Sequence, residues 1–304
     1  MAGVDQLITA NDYNNIRDKL NLIMGLGATG YGQTLTSSTA LSGQPFLLSF
    51  WTTLRNDLLK ARQHQTGVDE SANLTVVTTS DQISEALRLQ YDNFCNLIVA
   101  NQYVCATNQA TVETIVNQTR SSAWNAVLTH TVTVIFPSAL RSRYFFNAGG
   151  QIRFTASRSG TAATSKDTDW TNVLSSMGTI YMNHNSTSFL IGGSGIGSAR
   201  GFYNLTTSFQ QLYTKGSSVY TYNENDYNIT AKVDNATNPT TITFKIEFRD
   251  DDTGNRPDPS PPAPYGPIED ETVTGTLTST VNLFRPSGSN VSIIAPTATS
   301  TTIA

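Results

Sequence analysis

The sequence predicts an α+β protein in which an N-terminal helical region precedes a mainly antiparallel, β-sandwich-like domain. Three observations carry that expectation. Apolar residues recur at helical spacing over the first hundred positions, the recurrence shortens to every second residue past residue 110, and Gly, Asn, Asp and Pro punctuate the alternating runs. A chain of 304 residues is also long enough to build two cores. The expected division is a helical assembly region over 1–110, a β-rich domain over 111–284 with an acidic, Pro-rich loop at 250–271, and a Ser/Thr-rich tail or arm over 285–304.

The helices come first. Thr9 and Asp12 are spaced for a capping box ahead of Tyr13, Ile16, Leu20 and Ile23, which share one face, and Gly25 and Gly27 end the run. A second face is drawn by Leu47, Trp51, Leu54 and Leu58, with Lys60, Arg62 and His64 near its negative C-terminal end and Gly67 beyond. Thr79 and Gln82 form another box-like pair before Ile83, Leu87, Tyr91, Phe94 and Ile98. Stripes of this kind are buried only against one another or against a partner. Their core is expected to be completed when protomers pack.

The strands follow. Thr129–Phe136, Gln151–Ala156 and Thr241–Phe248 alternate, and Ser217–Tyr222, Tyr227–Val233 and Thr272–Leu283 continue the theme around turns such as Asp234-Asn235 and Asn238-Pro239. One short helix is expected over Thr168–Leu174, with Asp169 near its positive N-terminal end. In the stretch Phe136–Phe154, the turn Asn147-Ala148-Gly149-Gly150 calls for a glycine at positive φ that joins a short helical turn to a strand. Packing is the expected role of this stretch, ahead of a ligand role for Arg141 or Arg143. The prolines between Pro257 and Pro264 withhold backbone donors, so that loop is expected to be extended and irregular. The tail from Arg285, with isolated Val291, Ile293 and Ile294, is expected to be loose or to order only on a neighbour.

Composition narrows the function classes. Charged residues make up 14% of the chain, against about 25% in ordinary globular proteins. Uncharged polar side chains, Thr above all, fill the difference; they suit half-solvated pleated surface and lateral association more than metabolic catalysis. A net charge of −4 argues against nucleic acid as a partner. No run approaches the ~18 apolar residues of a membrane span, and Met1–Ala10 lacks the features of a secretory signal, so a soluble chain made in a cytoplasm is expected. Cys95 and Cys105 are expected to be free thiols.

No local pattern announces catalysis. His64, His130 and His184 fall at a helix end, in an alternating strand and in a polar loop, without metal-ligand spacing. A Ser-His-Asp triad assembled from distant residues stays open, but there is no nucleophile elbow. Gly192-Gly193-Ser194-Gly195-Ile196-Gly197 lacks the following helix and Lys of a phosphate cradle and reads as a flexible loop. Asp250-Asp251-Asp252-Thr253-Gly254 misses the calcium-loop spacing and reads as a solvated acidic turn. No paired-carboxylate pattern of a glycosidase is present either. No catalytic, cofactor-binding or metal residue is therefore expected, and the protein is expected not to be an enzyme.

One resemblance bears on function. The element Tyr144-Phe145-Phe146-Asn147-Ala148-Gly149-Gly150-Gln151-Ile152-Arg153-Phe154, with Met177-Gly178-Thr179-Ile180, resembles a module of virion structural proteins of tailed bacteriophages, particularly contractile-tailed phages of cyanobacteria. Ile8–Ile16, Gly30–Gln33, Leu54–Leu58 and His64–Gly67 are similar to the start of the same proteins, and together the patches cover about half the chain. The resemblance implies a virion part and transfers no catalytic residue. It does not fix a place in the virion; the function expected here is a non-enzymatic tail or neck component, at a collar or fibre attachment, assembling as a homo-oligomer. Its partners would be copies of itself and other tail, neck or baseplate proteins, without nucleic acid, membrane or cofactor. The alternative is a baseplate or fibre-adaptor protein whose β-domain binds glycans, with Tyr220, Tyr222 and Tyr227 as an aromatic platform.

Overall fold

The computed structural model describes residues 8–42, 47–78, 83–219, 222–251 and 271–304. The fold is α+β, and the chain divides into two compact units. The helical unit comprises Met1–Thr111, Leu140–Gly150 and Arg285–Ile294; the sheet unit comprises Val112–Ala139, Gln151–Phe284 and Ala295–Ala304.

In the helical unit, α1 (Ala10–Met24) starts at the capping box. The Thr9 hydroxyl accepts from Asp12 N at 3.3 Å, and the Asp12 carboxylate accepts from Thr9 N at 2.8 Å. Helix α2 (Leu48–Thr66) ends at Gly67, which holds φ 77°. Leu47 precedes this helix and is 58% exposed, so it does not belong to the buried face. Helix α3 (Glu85–Ala100) is capped by Ser84, whose hydroxyl accepts from Leu87 N at 3.2 Å. The Thr79–Gln82 pair lies outside the described residues.

The three stripes bury one another. Tyr13, Ile16 and Leu20 from α1, Trp51, Leu54 and Leu58 from α2, and Tyr91, Phe94 and Ile98 from α3 are all buried. Edge-on ring contacts of Tyr13 with Trp51 at 5.7 Å and of Trp51 with Tyr91 at 5.0 Å tie the helices together. The expectation that these stripes need a second protomer is therefore corrected: each large side chain gains its roughly 1.5–3 kcal/mol of burial within the chain. The Gly/Ser/Thr stretch after α1 is fastened back along the helices. Asp57, only 2% exposed, accepts from Thr36 N, Thr36 Oγ1, Ser37 N and Ser37 Oγ at 2.7–2.8 Å.

Helix α4 (Ala139–Asn147) returns to this unit and buries Tyr144, Phe145, Phe146 and Asn147. The turn after it uses Gly149 at φ 85°, where a Cβ would lie 2.6 Å from Cys105 N. Both the left-handed backbone and the missing space require glycine. Gly149→Ala is expected to cost about 2–4 kcal/mol, through strain and overpacking together. Urea unfolding would show this as a lowered midpoint; an unchanged midpoint would refute it.

Among the described residues the sheet unit holds ten strands in two five-stranded antiparallel sheets. One sheet has the order β1-β9-β3-β4-β5, from Ala110–Arg120, Thr276–Pro286, Gln151–Ser159, Ile180–Met182 and Thr187–Phe189. The other has the order β10-β2-β8-β7-β6, from Thr297–Ser300, Leu128–Ile135, Thr241–Arg249, Asp226–Val233 and Gln210–Gly216. Alternation sets the inner faces: β2 buries Leu128, His130, Val132 and Val134, and β8 buries Ile242, Phe244, Ile246 and Phe248. Phe154 of β3 meets Phe244 of β8 at 4.9 Å between ring centroids, so the two sheets face each other as a sandwich.

Three expectations need correction. Of the strand expected at Ser217–Tyr222, Tyr220 and Thr221 lie outside the described residues and Ser217–Val219 are not in a strand: β6 ends at Gly216, and the Ser217 hydroxyl accepts from Val219 N at 3.0 Å. Helix α5 (Ser165–Met177) starts before Thr168, since Thr164 and Asp167 form a capping box, and Asp167 rather than Asp169 occupies the first turn. The tail is not loose in this chain: Val291, Ile293 and Ile303 are buried, and β10 pairs with β2. Backbone bonds from Thr301 N to Thr131 O and from Ala304 N to Thr129 O extend that pairing and cover the edge of β2. Residues 252–270 of the acidic loop lie outside the described residues.

Candidate functional site

Among the described residues, three buried polar clusters bring together side chains that could carry chemistry. In the helical unit the fold joins His64 to Cys105, with Sγ 3.9 Å from Nδ1. The Ala148 carbonyl can only accept, so His64 Nε2 carries the proton at 2.9 Å from it and Nδ1 is bare. Burial pushes the imidazole down to about 4 and the thiol up to about 12. A nucleophilic cysteine needs the reverse, a thiolate beside an imidazolium. This pair is held neutral, and it packs.

Inside the sandwich, His130 Nδ1 and Ser279 Oγ share a hydrogen bond of 2.9 Å between β2 and β9. Both residues are fully buried, and His130 Nε2 has no hydrogen-bond partner, so no acid orients the ring as a triad would require. Burial again pushes the imidazole down to about 4.

The third place is the N-terminal half of α5, where Lys166, Asp167 and Asp169 are all buried. Asp167 accepts from Thr274 N at 2.6 Å and Thr274 Oγ1 at 2.7 Å, and Arg158 lies 2.8 Å away. Those bonds and the Arg158 charge bring its pKa below the usual carboxylate value, although burial, the largest single influence, opposes them. Lys166 Nζ stands 3.1 Å from the Asp250 carboxylate with both side chains sealed from solvent. Glu271 accepts from Lys166 N at 2.9 Å and from the Tyr222 hydroxyl at 2.8 Å. Asp169 accepts from Ser217 Oγ at 2.6 Å through Oδ1. Its other oxygen, Oδ2, has no hydrogen-bond partner. Burial pushes the Asp169 carboxyl up, against the lowering effect of the Ser217 bond. Beside it opens a pocket of about 350 Å³ lined by Ser165, Thr168, Asp169, Asn172, Val219 and Tyr222.

Several sequence readings change here. Asp250 is not in a solvated turn: it points inward to Lys166, while Asp251 pairs with Arg249 at 2.9 Å. The Gly192–Gly197 segment packs closely at Gly193, Gly195 and Gly197, while Gly192 has open space around it. A Cβ on Gly193 would sit 2.4 Å from Met177 O and one on Gly195 2.2 Å from the Tyr213 hydroxyl, so close packing explains those glycines. Tyr222 and Tyr227 are buried and Tyr220 lies outside the described residues, so Tyr222 and Tyr227 do not present an open aromatic platform. Arg141 lies over the Tyr144 ring, 5.7 Å from its centroid. Among the described residues no group of three His, Cys, Asp or Glu could hold a metal ion, and no helix is long and apolar enough to cross a membrane. The comparisons with protein-family models, curated proteins and solved structures give no match to the chain.

Proposed function

We infer that the chain is a structural subunit of a tailed-phage virion, a tail or neck component that works by assembling with copies of itself. One observation carries the assembly part of this reading: α3 has two apolar faces. Tyr91, Phe94 and Ile98 are buried in the helical unit, while Ala86, Leu89, Leu97 and Ala100, spaced along the other side, are exposed. Leu89 is 42% and Leu97 49% exposed, and they flank Asn93 in a row. A groove of about 600 Å³ lined by Phe94, Leu97, Asn93, Gln90, Asn73 and Glu70 adjoins that row. Single exposed apolar residues are ordinary; a row beside an apolar groove marks a surface for another molecule. The low charge of the chain and the resemblance of its Tyr144–Phe154 element support the same reading.

Light scattering on the purified full chain tests it. A multimer is expected, and Leu89→Glu with Leu97→Glu is expected to give a monomer with unchanged circular dichroism. A wild-type protein that stays monomeric, or a multimer indifferent to both changes, would overturn the assignment of this face.

A further inference from the structure

We propose that the exposed face of α3 meets the same face of a second copy across a two-fold axis, with the two helices antiparallel and Asn93 at the axis. This rests on the assembly reading and names the surface that the face takes as its partner. The order of residues along the face carries it. Counted outward from Asn93, the fourth residue is Leu in both directions (Leu89 and Leu97) and the seventh is Ala (Ala86 and Ala100). The third is a carboxamide on each side, Gln90 and Asn96. Gln90 is partly covered and the others are exposed. Steps of three, four and seven keep all of them in one stripe of the helix.

A two-fold axis perpendicular to a helix reverses its direction, so a stripe that reads alike from both ends fits its own copy. Leu89 then packs beside the partner's Leu97, Leu97 beside the partner's Leu89, and the alanines at both ends let the helices close. Asn93 faces the partner's Asn93; a carboxamide both donates and accepts, so the two satisfy each other. One amide between leucines is also a device that fixes the register of paired helices. Charge agrees with this packing. The stripe contains no Asp, Glu, Lys or Arg, and side chains at its border are matched within the chain. Lys19, which donates to Asn96 Oδ1 at 3.3 Å, pairs with Asp92 at 2.7 Å, and Glu70 of the adjoining groove pairs with Arg62 at 3.0 Å. A two-fold contact sets a surface against itself, so a net charge there would be repelled by its copy; this stripe meets no such repulsion. A partner of different sequence would require no such matching on the two sides of Asn93.

Cysteine scanning of the full chain under glutathione disulfide tests the proposal, with wild type alongside to account for Cys95 and Cys105. Helices about 8–10 Å apart bring the two facing Cα atoms at Asn93 to about 4–5 Å, near the usual disulfide span. Leu89 and Leu97 are eight residues apart, so each lies about 12 Å along the helix from its own copy. Asn93→Cys is expected to give a covalent dimer, and Leu89→Cys or Leu97→Cys alone about fivefold less or lower still. Mixing those two variants is expected to restore cross-linking. Equal cross-linking of all three variants alone would mean parallel helices and would overturn the proposal. No cross-link at position 93, in a multimer that Leu89→Glu with Leu97→Glu still dissociates, would overturn the two-fold contact and leave the assembly face standing. A monomeric wild-type chain would overturn both.

Discussion

Lowering the pH from neutral towards 4 is expected to destabilise the protein steeply, well before its carboxylates are protonated. His64 and His130 are fully buried, and burial holds each imidazole at about 4, against an unfolded value near 6.5. Between those values the unfolded chain binds a proton at each site and the folded chain does not. Stability is therefore intact above about 6.5 and is lost as the pH falls towards 4. One pKa unit corresponds to about 1.4 kcal/mol, so each histidine contributes on the order of 3 kcal/mol to the loss across the window. The raised carboxyls of Asp169 and Asp226 act in the opposite direction, and the lowered ones of Asp12 and Asp167 act in the same direction but only near and below their unfolded value of about 4. Urea midpoints taken between pH 7.5 and 5 therefore read a fall in stability that the histidines cause and the lowered carboxyls do not. His64→Gln keeps a donor for the Ala148 carbonyl, and the paired change His130→Leu with Ser279→Ala removes both sandwich partners at once. Each is expected to flatten the pH dependence in part, with a remainder from His184, whose imidazole burial also lowers. A wild-type midpoint independent of pH over that range would show that the rings are reached by water.

The sequence shows the helices clearly because their stripes are long and their caps are chemical. Thr9 with Asp12 and Gly67 at the end of α2 mark boundaries within a residue or two. Thr164 with Asp167 carries the same signature, yet Asp169 next to Trp170 drew the expected start of α5 too late. Strands with one buried face, such as β2 and β8, are equally legible through their alternation. Strand β10 is not: Thr297-Ala298-Thr299-Ser300 has no apolar alternation and holds its place by backbone bonds to β2. The polar sites fail for a different reason. Lys166 and Asp250 lie 84 positions apart, Asp169 and Ser217 lie 48 apart, and His64 and Cys105 lie 41 apart, so no short spacing records their meeting. That one oxygen of Asp169 is bonded and the other is not depends on where the Ser217 hydroxyl lies after β6.

Lys166→Met is expected to be the most damaging single replacement in the sheet unit, costing about 3–5 kcal/mol. The methionine fits the buried stem of the lysine but leaves the Asp250 carboxylate sealed in the interior without the ammonium 3.1 Å away. The size of the loss measures the cost of taking this ammonium from a buried carboxylate, not the net worth of the ion pair, because forming the pair required both groups to leave water. Replacing both residues, Lys166→Met with Asp250→Leu, is therefore expected to recover most of the stability. Thermal or urea unfolding of the single and double variants reads both results. A single variant within 1 kcal/mol of wild type would mean that Asp250 reaches solvent; a double variant as unstable as the single one would mean that the pair organises its neighbours as well as neutralising itself. The second outcome would turn attention to Glu271, which accepts from both Lys166 N and the Tyr222 hydroxyl and so ties the start of α5 to the turn after β6.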